Sequence, residues 1–130
     1  MELCGLDGRV VIIDSVTQVR PELEGAIVVT GSHGGRSSAG YALAVRARLY
    51  VFNDAGVGRD EAGIAALVML EDRGVAAVAV AASSSRIGDA QDTLERGVIS
   101  HANGEATKLD LASGQAVRDA IERVTGPLRS

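Results

Sequence analysis

Residues 26–35 read Ala26-Ile27-Val28-Val29-Thr30-Gly31-Ser32-His33-Gly34-Gly35, and this stretch decides the fold. An apolar, β-branched run without polar alternation reads as a strand buried on both faces, the pattern of a strand inside a parallel sheet. Gly31 breaks it abruptly into a glycine-rich loop. Ser37 or Ser38 then caps a helix reaching about Val45, packed through Ala39, Leu43 and Ala44. Strand, glycine loop and helix in succession form the repeating unit of an α/β layer.

The same rhythm recurs on both sides. Upstream, Val10-Val11-Ile12-Ile13 lies in a strand over residues 9–14. The Asp7-Gly8 turn signal before it leaves residues 1–6 as a short additional strand. Residues 15–24 are polar, and Pro21 permits at most a short helix there. Downstream, residues 49–52 form a third strand, followed by the loop Asn53-Asp54-Ala55-Gly56-Val57-Gly58. A helix is expected from near Asp60 to Gly74, with Asp60 as an ordinary cap and with Ile64, Leu67, Val68 and Glu71 at helical spacing. Residues 75–81 form a fourth strand, and a short helix from Asp89 to Arg96 ends at Gly97. Val98-Ile99 reads as a very short strand, Ala106 and Leu109 sit on a further helix, and Ser113 caps the last one before Gly126-Pro127. Residues 1–130 are therefore expected to form a single α/β domain, a mostly parallel sheet flanked by helices. A small mixed sheet with antiparallel early strands is the competing architecture.

Composition narrows the function classes. Thirteen Lys and Arg against seventeen Asp and Glu leave a net charge of −4, so no global field draws the chain to nucleic acid or anionic membrane. Cys4 is the sole cysteine, which excludes an internal disulfide and Cys-only metal motifs. The longest nearly apolar run, residues 74–82, is too short to span a bilayer, and the first residues lack the basic region of a signal peptide. The cytoplasm is the expected compartment. Sixteen glycines and only three aromatics, Tyr41, Tyr50 and Phe52, imply a thin core built from small side chains. Such a core gains from homo-oligomerisation.

The polar residues cluster after predicted strands, where ligands bind parallel α/β sheets. Gly31, Gly34 and Gly35 offer backbone N–H groups to an anion, although neither a Walker loop nor a dinucleotide fingerprint is present. The plain alternative is a tight turn with His33 facing solvent. Ser32 neighbours His33, and His101 is a second candidate to reach it. Asn53 and Asp54 leave the third strand. Asp54 is a candidate to orient a histidine, act as a general base or bind metal, or else it caps the turn. Arg86 and Asp89, beside Ser83, Ser84 and Ser85, suit a clamp on carboxylate or phosphate, or an ion pair joining two loops. No His-x-His or His-Glu-x-x-His spacing argues for a metal.

Gly31-Ser32-His33-Gly34-Gly35, Phe52-Asn53-Asp54-Ala55-Gly56-Val57-Gly58, Ser85-Arg86-Ile87-Gly88-Asp89-Ala90 and Val98-Ile99-Ser100 together resemble a family of small bacterial proteins of unassigned function, over residues 12–104. The glycine loop after a strand is also similar to that of the small swivelling subunits of aconitase-like dehydratases. Neither resemblance implies a catalytic set.

These readings converge on an expectation. The chain is read as a small-molecule enzyme performing non-redox acid–base chemistry (hydrolase, lyase or isomerase) on an anionic metabolite, without a cofactor. Ser32, His33, Asp54 and His101 are the catalytic candidates. Gly31, Gly34, Gly35, Asn53, Arg86 and Asp89 are the substrate-binding ones. Ser32, His33, Asn53, Asp54, Arg86 and His101 are expected to line one concave region. A non-enzymatic anion-binding or regulatory subunit, or a domain docking on a larger enzyme, would use the same residues.

Overall fold

The apolar run after Gly25 lies in the interior of a six-stranded sheet in the computed structural model, which describes residues Met1–Ser130. The chain forms β1 (Glu2–Gly5), β2 (Gly8–Ile13), β3 (Ile27–His33), α1 (Arg36–Ala42), β4 (Leu49–Asn53), α2 (Ala65–Glu71), β5 (Ala77–Val80), α3 (Ala90–Arg96), β6 (Ile99–Ala102), α4 (Gly104–Thr107) and α5 (Val117–Thr125). Strands lie side by side in chain order. β2 to β5 are mutually parallel, whereas β1 and β6 close the two edges antiparallel. The mostly parallel α/β architecture is as expected. The competing mixed arrangement survives only at β1, joined to β2 by the Asp7-Gly8 turn. Residues 15–24 carry a parallel crossover through two short 3-10 turns, Val16–Gln18 and Pro21–Leu23.

Strand alternation divides the apolar residues into two layers of core. Val11, Val28, Tyr50, Phe52 and Ala79 pack beneath α1 and α2. Ile12, Val29, Val51, Val78 and Val80 pack beneath α3 and α5. Tyr50 and Phe52 stack with ring centroids 5.8 Å apart, so two of the three aromatics fill one layer. The Tyr50 hydroxyl is fully buried and donates to Val45 O at 2.6 Å; burial pushes its pKa up to about 12.

Both sheet edges are partly covered by the chain itself. Cys4 exchanges backbone hydrogen bonds with Arg129 outside β1, and Ile99 does so with residues 114 and 115 outside β6. Covered edges are poor templates for strand addition. No helix is long and apolar enough to cross a membrane.

One helix starts later than its sequence suggests. Asp60 (φ 54°) and Glu61 (φ 58°) take left-handed backbone inside 3-10 turns spanning Arg59–Ile64, and α2 begins only at Ala65. Asp60 is therefore not a cap. At the last helix Ala116, not Ser113, holds the cap position, without a side-chain bond.

Candidate functional site

Gly31, within β3, and Gly34, just after it, are held by backbone hydrogen bonds from three segments. Gly31 N–H donates to Asp14 O, Gly31 O accepts from Gly88 N–H, and Gly34 N–H donates to Asn53 O. A Cβ on Gly31 would lie 2.5 Å from Asp89 N, so glycine is needed where the β5–α3 segment crosses β3. Gly35 N–H donates to His33 Nδ1 at 3.0 Å. Each of the three amides expected to cradle an anion thus already has an acceptor within the protein. This corrects the amide-cradle expectation for Gly31, Gly34 and Gly35. Ser32 is likewise engaged, its Oγ accepting from Val16 N–H at 2.9 Å, and neither histidine is its partner.

Beside these glycines opens a cleft of about 740 Å³ between residues 33–37 and 55–65. His33, Arg36, Arg59 and Asp60 line it, all exposed. Neither Arg36 nor Arg59 takes part in a salt bridge. Two guanidiniums against one carboxylate leave the cleft cationic. In a neutral His33 ring, acceptance at Nδ1 places the proton on Nε2, so Nε2–H is the free donor. The far wall is strained. Ala55 (φ 52°), Val57 (φ 68°), Asp60 and Glu61 are all left-handed without being glycine, at a cost of roughly 1–2 kcal/mol each. Val57 N–H to Asp54 O and Gly63 N–H to Val57 O hold the loop in that shape.

Asp54, at the end of β4, belongs to a different arrangement. It is 5% exposed. Its Oδ1 accepts from Gly56 N–H at 2.8 Å and Ala82 N–H at 3.0 Å. Its Oδ2 accepts from the Ser100 hydroxyl at 2.7 Å, and Ser100 Oγ lies 2.9 Å from His101 Nδ1. A carboxylate only accepts, so Ser100 gives Asp54 its proton and offers a lone pair to His101 Nδ1–H. His101 is thereby held with its Nε2 lone pair free. Consecutive strand residues normally face opposite ways. The register shift between β5 and β6 at Ala79 and Val80 is a bulge beside Ser100 and His101 that allows the two side chains to meet. Ser100 was not singled out from sequence as the link; only a known bulge would have revealed it.

The remaining candidates lie elsewhere. Asn53 is fully buried, its Oδ1 accepting from Ala55 N–H at 2.8 Å and its Nδ2 without a partner. Asp89 caps α3 by accepting from Asp92 N–H at 2.9 Å. Arg86 is exposed beside it, in an opening of about 450 Å³ that also holds Ser85, Asp92 and Arg96. No ion pair ties Arg86 to Asp89 or Asp54.

Ser32, His33, Asn53, Asp54, Arg86 and His101 therefore do not line one concavity. The physical reason is the strand order. β3 and β6 are separated by β4 and β5, and three ladder steps amount to about 14 Å. His33 lines the cleft beside α1, and His101, in β6, does not. Arg36, by contrast, was missed. Its position directly after Gly34-Gly35, as the first residue of α1, was the available signal. No three His, Cys, Asp or Glu side chains gather closely enough to hold a metal ion. No family model, curated protein or solved structure matches the chain.

Proposed function

We propose that the protein binds a small anionic metabolite in the His33–Arg36–Arg59 cleft and carries out non-redox acid–base chemistry on it. The observation that carries this reading is the pair of guanidiniums without ionic partners, opening beside an oriented Nε2–H donor at the carboxyl ends of parallel strands β3 and β4. Arg36 and Arg59 hold a carboxylate or phosphate, each able to form a bidentate pair. His33 Nε2–H donates to an oxygen where negative charge develops, and Asp60 is the carboxylate in the same cleft that accepts a proton. A donor and an acceptor beside an anion clamp suit isomerisation or elimination next to the bound acid group. His101 stands outside this chemistry, because its strand β6 is separated from β3 by β4 and β5.

The test is calorimetry against a panel of phosphorylated and carboxylated metabolites, on wild type, Arg59→Ala and Arg86→Ala. Wild type is expected to bind, R59A to bind at least about tenfold more weakly with an unchanged melting temperature, and R86A to bind as wild type does. Loss at R86A with R59A intact, or no binding to any member, overturns the reading. A second reading, a non-enzymatic anion-binding subunit, is favoured by the backbone amide on His33 Nδ1, since no carboxylate tunes that ring. Deuterium exchange into a bound ligand in heavy water separates the two: exchange by wild type that Asp60→Asn abolishes supports the enzyme, and binding without exchange supports the subunit.

A further inference from the structure

The anion cleft does not end at Arg36. A second lobe of about 340 Å³ continues along α2, and the two lobes share Arg36, Asp60 and Ala65 in their walls. The second lobe is apolar on its helix side, lined by Ile64, Val68 and Met69. On α2 the residues facing the sheet are Ala66, Leu67 and Leu70, all buried, so the helix already has its core contacts. Val68 nevertheless stands 61% exposed. A β-branched apolar side chain has no solubility reason to be there, and it lies one turn from Ala65 on the same helix face. Ala65, in the wall of both lobes, is small and adds little bulk at their shared boundary. Met69 is the adaptable side chain that moulds to an irregular apolar guest.

Charge fixes the direction of the guest. The first lobe carries Arg36 and Arg59 against Asp60. The second carries Arg36 against Asp60 and Glu61, which repel a second acidic group. We infer that the natural ligand is an amphiphile with a single acidic head: a carboxylate or phosphate on Arg36 and Arg59, and a short aliphatic chain along Ile64, Ala65, Val68 and Met69. This inference rests on the anion-binding reading of the first lobe and names the substrate class for it. Polar dianions, such as dicarboxylates with an acid group at each end, are disfavoured by Asp60 and Glu61 at the tail lobe.

The experiment is a calorimetric series with butyrate, hexanoate and octanoate, with octanol and inorganic phosphate as controls, on wild type, Val68→Ser and Arg59→Ala. Val68 is exposed, so V68S is expected to fold as wild type, which a thermal melt checks. Affinity is expected to rise about two- to fourfold per added methylene in wild type. V68S flattens that rise, and inorganic phosphate, which has no chain, reads the head site alone in every variant. R59A weakens every anion by a similar factor. Equal affinity across the acids overturns the tail site and leaves the anion site standing. Octanol binding as tightly as octanoate overturns the anion reading instead. A wild-type dimer that V68S converts to monomer, with no chain-length effect, assigns the apolar wall to a second copy of this chain and overturns the inference.

Discussion

His33 and His101 lie at the carboxyl-end side of one sheet, yet their rings are held in opposite ways. His33 accepts a backbone amide at Nδ1 and presents Nε2–H to an open cationic cleft. His101 donates from Nδ1 through Ser100 to a nearly buried carboxylate and presents a lone pair. Around Asp54 every polar partner is inside the protein, so those residues lock β4, β5 and β6 together. Around His33 the Arg36 and Arg59 guanidiniums have no ionic partner within the protein. The same residue type at the same end of the sheet serves structure in one region and, in the function proposed above, binding in the other. What differs is which neighbours satisfy it first.

The regions meet at Gly63, and substitution there has the largest expected effect. A Cβ on Gly63 would collide with the Asp54 carbonyl, backbone against backbone. Gly63→Ala is expected to cost more than about 3 kcal/mol, seen as a melting point lowered by more than about 8 °C. A wild-type melt for this variant would show that the strained loop and the Asp54 network are independent.

Asp54→Ala comes next. It leaves two amides and the Ser100 hydroxyl without their acceptor, at about 2–4 kcal/mol in urea denaturation. Asp54→Asn keeps an oxygen for the amides and is expected to recover part of that loss. An Asp54→Ala variant as stable as wild type would remove the structural half of the comparison.

Alkaline pH tests the scaffold beneath both regions. Tyr50 holds its proton to about pH 12 when folded and to about 10 when unfolded. Stability is therefore full below pH 10 and falls as pH rises through 12, because only the unfolded chain releases the proton in that window. The loss is on the order of 2–3 kcal/mol, and Tyr50→Phe is expected to abolish this pH dependence. The smallest stability effect belongs to His33→Ala, expected within about 0.5 kcal/mol of wild type because the ring is exposed and bonded once. In the intact protein, nitrogen-15 spectra at a pH where both rings are neutral should show the proton on Nε2 of His33 and on Nδ1 of His101. The same tautomer at both sites would contradict the contrast directly.

Much of the scaffold was legible in the sequence. Val28, Val51 and Val78 lie in adjacent parallel strands, as their unbroken apolar surroundings indicate, and Asp89 with Gly97 bounds α3. What escaped was tertiary. Asp60-Glu61 resembles an acidic first helical turn, but closure of the loop onto Gly63 forces both residues left-handed. Ser100 and His101 share a side only because of a bulge. Convergence of the candidate residues required knowing that β3 and β6 are three steps apart, and local pattern carries no information about strand order. Arg59 stands out in the sequence only as one of the polar residues after the third strand, and Arg36 not at all; their lack of ionic partners is a tertiary observation.

On the function proposed above, the cationic cleft at His33, Arg36 and Arg59 is where this protein meets an anion. A backbone and histidine-ring NMR titration with inorganic phosphate tests it most directly. Saturable shifts are expected at the His33 ring, Gly35, Arg36 and Arg59, with His101, Ser100 and Arg86 unmoved. Shifts centred on Arg86 or His101, or none at the His33 cleft, would contradict it.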